Sequence, residues 1–130
     1  MNKEELAVEV ARKIWDWIPD GQGGYAYSID DSNKLKDWED KGLELSAYVF
    51  SWEGFGRTVE AMEGKGYFFE FDGITMAFWK TVGQKGEEKN FEPISVKGEF
   101  MVDELNDSQS KWEATHRAAL EAVDALKDKE

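Results

Sequence analysis

Few side chains in this sequence could do chemistry, and His116 is its only histidine. His116 falls on a predicted C-terminal helix, where a general base would need a nucleophile or a substrate group within hydrogen-bond reach. Ser46, Ser51 and Ser95 could supply a hydroxyl, but none lies in the glycine-flanked turn that presents a nucleophilic serine. We therefore predict that His116 is a structural residue at the edge of the apolar stripe of its helix.

No pattern in the sequence predicts a metal or phosphate site. The chain has no cysteine and one histidine, which excludes a zinc cluster. The acidic segments 20–24, 31–35 and 103–107 lack the ligand spacing of a calcium loop. The glycines at 21–24 are not followed by the lysine of a phosphate loop. Paired carboxylates can catalyse glycoside hydrolysis. With 28 acidic residues in the chain, such a pair is expected by chance and does not indicate that activity. We predict no metal, no cofactor and no enzymatic activity.

The net charge of −12, from 16 basic and 28 acidic residues, is spread along the whole chain. Such a charge repels nucleic-acid phosphates and anionic lipids, so we expect no direct binding to nucleic acid or to membranes. A basic protein partner is compatible with it. The first residues have no apolar run typical of a signal peptide, and no stretch approaches the roughly 20 apolar residues of a membrane span. These features predict a cytoplasmic location.

The hydrophobic periodicity predicts a single α+β domain over residues 1–130. Apolar residues at helical spacing predict an N-terminal helix over 3–18, capped by Asn2, and a C-terminal helix over about 110–127, capped by Ser110. We expect an antiparallel, meander-like sheet of five or six strands with both helices packed on one face. The predicted strands are 25–29, 43–52, 57–62, 67–71, 74–82 and 94–102, separated by a polar loop or short helix at 30–42 and a charged loop at 83–93.

The clearest local pattern is Asp72-Gly73 between two aromatic-rich strands, which is typical of a two-residue hairpin loop. In that register Phe71 faces Ile74, Phe69 faces Met76, and Tyr67 faces Phe78. Because side chains alternate along a strand, these six residues share the core face of the sheet. Phe68 and Trp79 then lie on the opposite face.

Aromatic residues on that second face require an explanation, because a charged rim around apolar rings often marks a binding site. The predicted strand 43–52 adds Tyr48, Phe50 and Trp52 to the same surface. A partner site, a homodimer contact and internal packing are three alternatives for it. The candidate partner-binding residues are Phe68, Trp79, Tyr48, Phe50 and Trp52, together with the acidic residues Asp37, Glu39 and Asp40.

No motif identifies a family, so the functional hypothesis depends on composition and on the aromatic face. The leading hypothesis is a non-enzymatic acidic binding protein, such as a small inhibitor or adaptor resembling nucleic-acid mimics, that acts on a basic protein partner. The alternative is a small-ligand pocket between the sheet and the terminal helices, lined by Trp15, Trp17 and Trp112. A third is a secretion-chaperone-like adaptor, which ranks lower because the strands predicted over 57–82 leave no room for a helix there.

Overall fold

The computed structural model describes residues 2–19, 25–26, 45–86 and 92–129 of the chain. The predicted loop or helix at 30–42 lies outside the described residues. The elements in chain order are α1 (Lys3–Glu9), a π-helix (Val10–Ile14), β1 (Ile18–Pro19), β2 (Tyr25–Ala26), α2 (Leu45–Val49), α3 (Trp52–Gly64), β3 (Phe68–Phe71), β4 (Thr75–Lys85), β5 (Glu92–Met101) and α4 (Ser108–Lys129).

The predicted N-terminal helix is present, with the predicted cap. The Asn2 side chain accepts a hydrogen bond from the backbone N–H of Glu5 at 2.8 Å. The helix widens to a π-helix before Trp15, and it ends earlier than residue 18 because Asp16 adopts a left-handed φ of 58°. Its buried residues recur at helical spacing and are Leu6, Ala7, Val10, Ala11 and Ile14.

The strands predicted over 43–52 and 57–62 are wrong, because residues 45–49 and 52–64 form α2 and α3. Apolar residues alternate in this segment, which favours a strand. They also recur at intervals of three and four residues, which fits the helices that form. Ser51 caps α3 by accepting from the N–H of Gly54 at 3.1 Å. A Cβ on Gly54 would lie 2.3 Å from the carbonyl oxygens of Tyr48 and Val49. This glycine therefore permits the close approach of α2 and α3.

Within the described residues the main sheet has three antiparallel strands in the order β3-β4-β5, which contradicts the prediction of five or six strands. Part of the difference arises because the strands predicted over 43–52 and 57–62 are replaced by α2 and α3. β2 covers only residues 25–26 of the predicted strand 25–29, and it forms a separate two-stranded pair with β1. The remaining residues of that predicted strand lie outside the described ranges. The predicted loop at 83–93 is also partly wrong, because β4 extends through Lys85 and β5 begins at Glu92.

The hairpin at Asp72-Gly73 is present, but its register differs by two residues from the predicted one. Phe71 pairs with Met76, and residues 72–74 form the loop between the two strands. The Asp72 side chain explains this, since it accepts from the N–H groups of Ile74 at 2.9 Å and Thr75 at 2.7 Å. Ile74, predicted to be core, therefore lies exposed in the loop, and Phe71 is also exposed.

The C-terminal helix covers the sheet at very short range. A Cβ on Gly98 of β5 would lie 2.1 Å from the carbonyl oxygen of Ala118 and 2.2 Å from the backbone N of Ala122. Alanines on the helix and a glycine on the strand thus bring the two backbones together. The helix begins two residues earlier than predicted. Its cap is Asp107, which accepts from the N–H of Gln109, and not Ser110, whose hydroxyl accepts from Glu104.

The described elements form three layers, whereas the predicted sheet with both terminal helices on one face would form two. The sheet is the first layer, and α4 packs on β4 and β5. The N-terminal helical segment packs on the other side of α4 and also contacts α2, while α3 contacts α4 and β3. Since α4 lies between two layers, consecutive residues on it are buried, including His116.

Candidate functional site

His116 lies at the centre of a buried chain of hydrogen bonds that joins four segments. Its Nε2 lies 2.7 Å from the carbonyl oxygen of Val49 in α2, and its Nδ1 lies 3.0 Å from Oγ1 of Thr58 in α3. The indole Nε1 of Trp15 donates to the same Thr58 oxygen at 2.9 Å. His116 and Thr58 are both 0% exposed. The prediction that His116 lies at the edge of an apolar stripe is therefore wrong.

The partners of His116 determine its protonation state. The Val49 carbonyl can only accept, so Nε2 carries the proton and Nδ1 accepts from the Thr58 hydroxyl. The Thr58 oxygen in turn accepts from Trp15, whose indole can only donate. In this arrangement each of these polar atoms has a hydrogen-bond partner while the imidazole is neutral. Burial lowers the pKa of His116 from 6.5 to about 4, against the opposing effect of the Val49 hydrogen bond.

Thr58 and His116 have the geometry of a nucleophile beside a base, and the Val49 carbonyl orients the ring as a third group would. A hydroxyl nucleophile must also reach a substrate, and Thr58 has no exposed surface. Its oxygen is further occupied by the Trp15 indole. In this conformation the Trp15–Thr58–His116 chain can hold helices together, and it cannot contact a substrate.

A second polar group, the guanidinium of Arg57, packs on aromatic rings near the end of the π-helix. It lies 5.6 Å from the Trp15 ring, 5.4 Å from the Trp17 ring and 5.8 Å from the Tyr48 ring. Its Nε also donates to the Tyr48 hydroxyl at 3.1 Å. Trp17 is buried beneath these contacts, and its indole N–H has no hydrogen-bond partner among the described residues. Trp15 and Trp17, two of the three predicted pocket residues, therefore belong to the core.

Three partly buried aromatic side chains and the exposed Trp52 form a cluster on the helical side of β3. We call Trp52, Phe55, Phe69 and Trp112 the helix-side cluster. Phe55 lies 4.6 Å from Trp112 and 6.0 Å from Phe69, measured between ring centroids, and Trp52 lies 5.2 Å from Trp112. Trp52 is 70% exposed at the outer end of this cluster. The cluster therefore runs from the edge of the core to solvent.

The opposite face of the sheet carries a second aromatic group, the sheet-face pair of Phe68 and Trp79. These residues are directly opposite one another on β3 and β4, and their rings stack with centroids 4.7 Å apart. Phe68 is 60% exposed. Around the pair lie Lys97 and Glu99 of β5, which form a surface ion pair at 3.5 Å. The sequence correctly placed Phe68 and Trp79 on the face away from the core.

Both aromatic groups meet at β3, because Phe68 and Phe69 are neighbours that point to opposite faces. Within the described residues, β3 pairs with β4 alone and is an edge of the sheet. The N–H of Asp72 donates to the carbonyl of Thr75. By the alternation of antiparallel pairing, the backbone polar groups of Phe69 and Phe71 then point outward from β3. The edge strand thus has aromatic rings on both faces and outward hydrogen-bonding groups between them.

The other candidate residues do not join the sheet-face pair of Phe68 and Trp79. Tyr48 and Phe50, predicted to lie on a strand of the outer face, are buried at α2 and the turn after it. Trp52 is exposed, but it begins α3 on the helical side. The acidic candidates Asp37, Glu39 and Asp40 lie outside the described residues.

Sequence reasoning missed Thr58 as the partner of His116 and missed the contact between Phe55 and Trp112. Both depend on α3, which was predicted to be a strand. The spacing of Phe55, Thr58, Val59 and Met62, at intervals of three, one and three residues, was the pattern that could have identified this helix.

Three further observations bear on function. Among the described ranges, no three His, Asp or Glu side chains are grouped closely enough to hold a metal ion. No helix in the same part of the chain is long and apolar enough to cross a membrane. Comparison with protein-family models, with curated proteins and with solved structures found no match for this chain.

Proposed function

We propose that this chain is a non-enzymatic binding protein that docks on a protein partner through the aromatic residues on the two sides of β3. The observation that carries the proposal is Phe68, which is 60% exposed although it stacks on Trp79. Fully burying such a side chain contributes roughly 1.5–3 kcal/mol. Phe68 lacks most of this stabilisation in the free protein and gains it when a partner covers the ring. Aromatic residues are also enriched in interface cores.

The charge of the chain favours a basic partner. With a net charge of −12, the protein attracts positively charged surfaces at long range and repels acidic ones. The sheet-face pair supplies a short-range apolar contact, and Trp52 supplies another on the far side of β3. An inhibitor or adaptor that occupies a partner surface needs both effects and needs no catalytic group.

The proposal can be tested by affinity capture with the immobilised protein, followed by the same capture with variants. Phe68→Ser with Trp79→Ser should leave the fold intact and abolish retention of a specific partner. Val82→Ser with Leu105→Ser is the matched control, because it removes exposed apolar side chains elsewhere and should retain the partner. Circular dichroism of each variant verifies that it is folded.

Repeating the capture at low and high salt separates the contribution of charge from that of the aromatic rings. A partner that stays bound at high salt and is lost in the Phe68/Trp79 variant supports docking on the aromatic rings. Equal capture by both double variants would contradict it, and so would unfolding of the Phe68/Trp79 variant, which would assign these rings to the core. A small molecule that raises the melting temperature strongly, with no differential protein capture, would also contradict the proposal.

A further inference from the structure

A groove of about 410 Å³ lies on a different side of the molecule, between α1, β5 and α4. Its floor is apolar and consists of Leu6, Phe100, Leu120 and Ala125. Leu6 and Leu120 are buried, whereas Phe100 remains partly exposed. The apolar surface that the floor offers to a ligand therefore comes mainly from Phe100 and Ala125.

The rim of the groove is acidic along α4. Glu121, Asp124 and Asp128 are all exposed, and their spacing of three and four residues aligns them on one stripe of the helix. Asp124 is paired with Lys13 of the π-helix at 3.4 Å. Glu121 and Asp128 form no ion pair within the described part of the chain. Two uncompensated negative charges thus stand beside an apolar floor.

Among the described side chains, the basic residue that α4 contributes to the groove is Arg117, and it is already engaged. The guanidinium of Arg117 lies 5.4 Å from the centre of the Phe100 ring and pairs with Glu113 at 3.4 Å. It covers one end of the floor and leaves the charge of Glu121 and Asp128 uncompensated. The groove is therefore complementary to a ligand that is both basic and apolar.

We propose that the groove lined by Leu6, Phe100, Leu120, Ala125, Glu121 and Asp128 binds a basic amphipathic helix of another protein. Its apolar residues lie on the floor, and its Lys or Arg side chains pair with Glu121 and Asp128. These two acids are seven residues apart, about 10 Å along the helix axis, which matches basic residues two turns apart on a helical ligand. Helices that place an apolar stripe in a groove are a recurrent mode of recognition.

This site does not depend on the aromatic surface around β3, so each can fail without the other. The probe is a synthetic helical peptide with leucines at i, i+3, i+4 and i+7 and lysines beside them, labelled with a fluorophore. Fluorescence anisotropy measures its affinity, and a scrambled peptide of the same composition controls for charge alone. We expect the amphipathic peptide to bind at least about tenfold more tightly than the scrambled one.

Charge reversal locates the site. Glu121→Lys with Asp128→Lys should weaken binding of the amphipathic peptide at least about tenfold. Glu53→Lys with Glu60→Lys makes the same change in net charge on exposed residues of α3 and should have little effect. Equal binding of the scrambled peptide would overturn the proposal, because it would reduce the interaction to net charge. Equal weakening by the two charge-reversal variants would overturn it as well.

Discussion

The Trp15–Thr58–His116 chain and the aromatic surface around β3 invert the usual distribution of polar and apolar groups. The polar groups of the first are completely buried and satisfy one another. The second leaves Trp52 and Phe68 largely in solvent. Residue type alone would assign chemistry to His116 and packing to the aromatic rings. The surroundings of these residues favour the opposite assignment. His116 stabilises the fold, and the exposed rings of Trp52 and Phe68 are accessible to a partner.

The largest expected effect is on the buried side of this comparison. His116→Ala should lower the free energy of unfolding by about 4 kcal/mol, because it opens a cavity and removes a partner from both Thr58 and the Val49 carbonyl. Urea denaturation measures this loss. Thr58→Val is the shape-conserving companion and should cost about 2 kcal/mol, since it leaves the Trp15 indole and the imidazole Nδ1 without their shared partner. A loss below about 1 kcal/mol for His116→Ala would contradict a structural role.

A pH dependence of similar size should follow from the same histidine. Its pKa is about 4 in the folded protein and 6.5 in its ordinary state, so below pH 6.5 the unfolded chain binds a proton that the folded protein does not. The stability that the neutral ring contributes is therefore complete above pH 6.5 and is lost as the pH falls to about 4. The loss amounts to about 3 kcal/mol.

Urea denaturation at a series of pH values measures this dependence. Carboxylates titrate mainly below the upper part of this window, so the interval from pH 6.5 to 5 isolates the histidine best. His116→Ala has no imidazole and should lose the slope in that interval. An identical slope in the variant and in the natural sequence would show that other groups cause it.

The smallest expected effect on stability is at the exposed end of the helix-side cluster. Trp52→Ser should change the free energy of unfolding by no more than about 0.5 kcal/mol, because the side chain is 70% exposed. Thermal denaturation checks this value. A large loss of stability would mean that Trp52 is part of the core, and the contrast between the two regions would then disappear.

The sequence predicted the two faces of the hairpin better than its register. Because the observed pairing differs from the predicted one by two residues, the side chains in the paired strands keep their predicted faces, whereas Ile74 lies in the loop. Tyr67, Met76 and Phe78 are buried as predicted, and Phe68 and Trp79 lie on the other face. A shift of one residue would have exchanged the faces. What the sequence pattern did not reveal was the loop, which the Asp72 side chain organises through its own hydrogen bonds.

The helices over 45–64 were not predicted because local preference and tertiary context disagree there. Three glycines and the β-branched residues Thr58 and Val59 lower the helix propensity of 52–64, whereas packing against α4 and capping by Ser51 stabilise the helix. The buried partners of His116 come from α2 and α3, so the hydrogen-bond chain could not be predicted without them.

Hydrogen exchange on the protein bound to a captured partner tests the central claim most directly. The outward backbone N–H groups of Phe69 and Phe71 should become protected when the partner covers β3, while amides near His116 should exchange as in the free protein. Unchanged exchange along β3, with protection confined to another surface, would contradict docking at the aromatic residues.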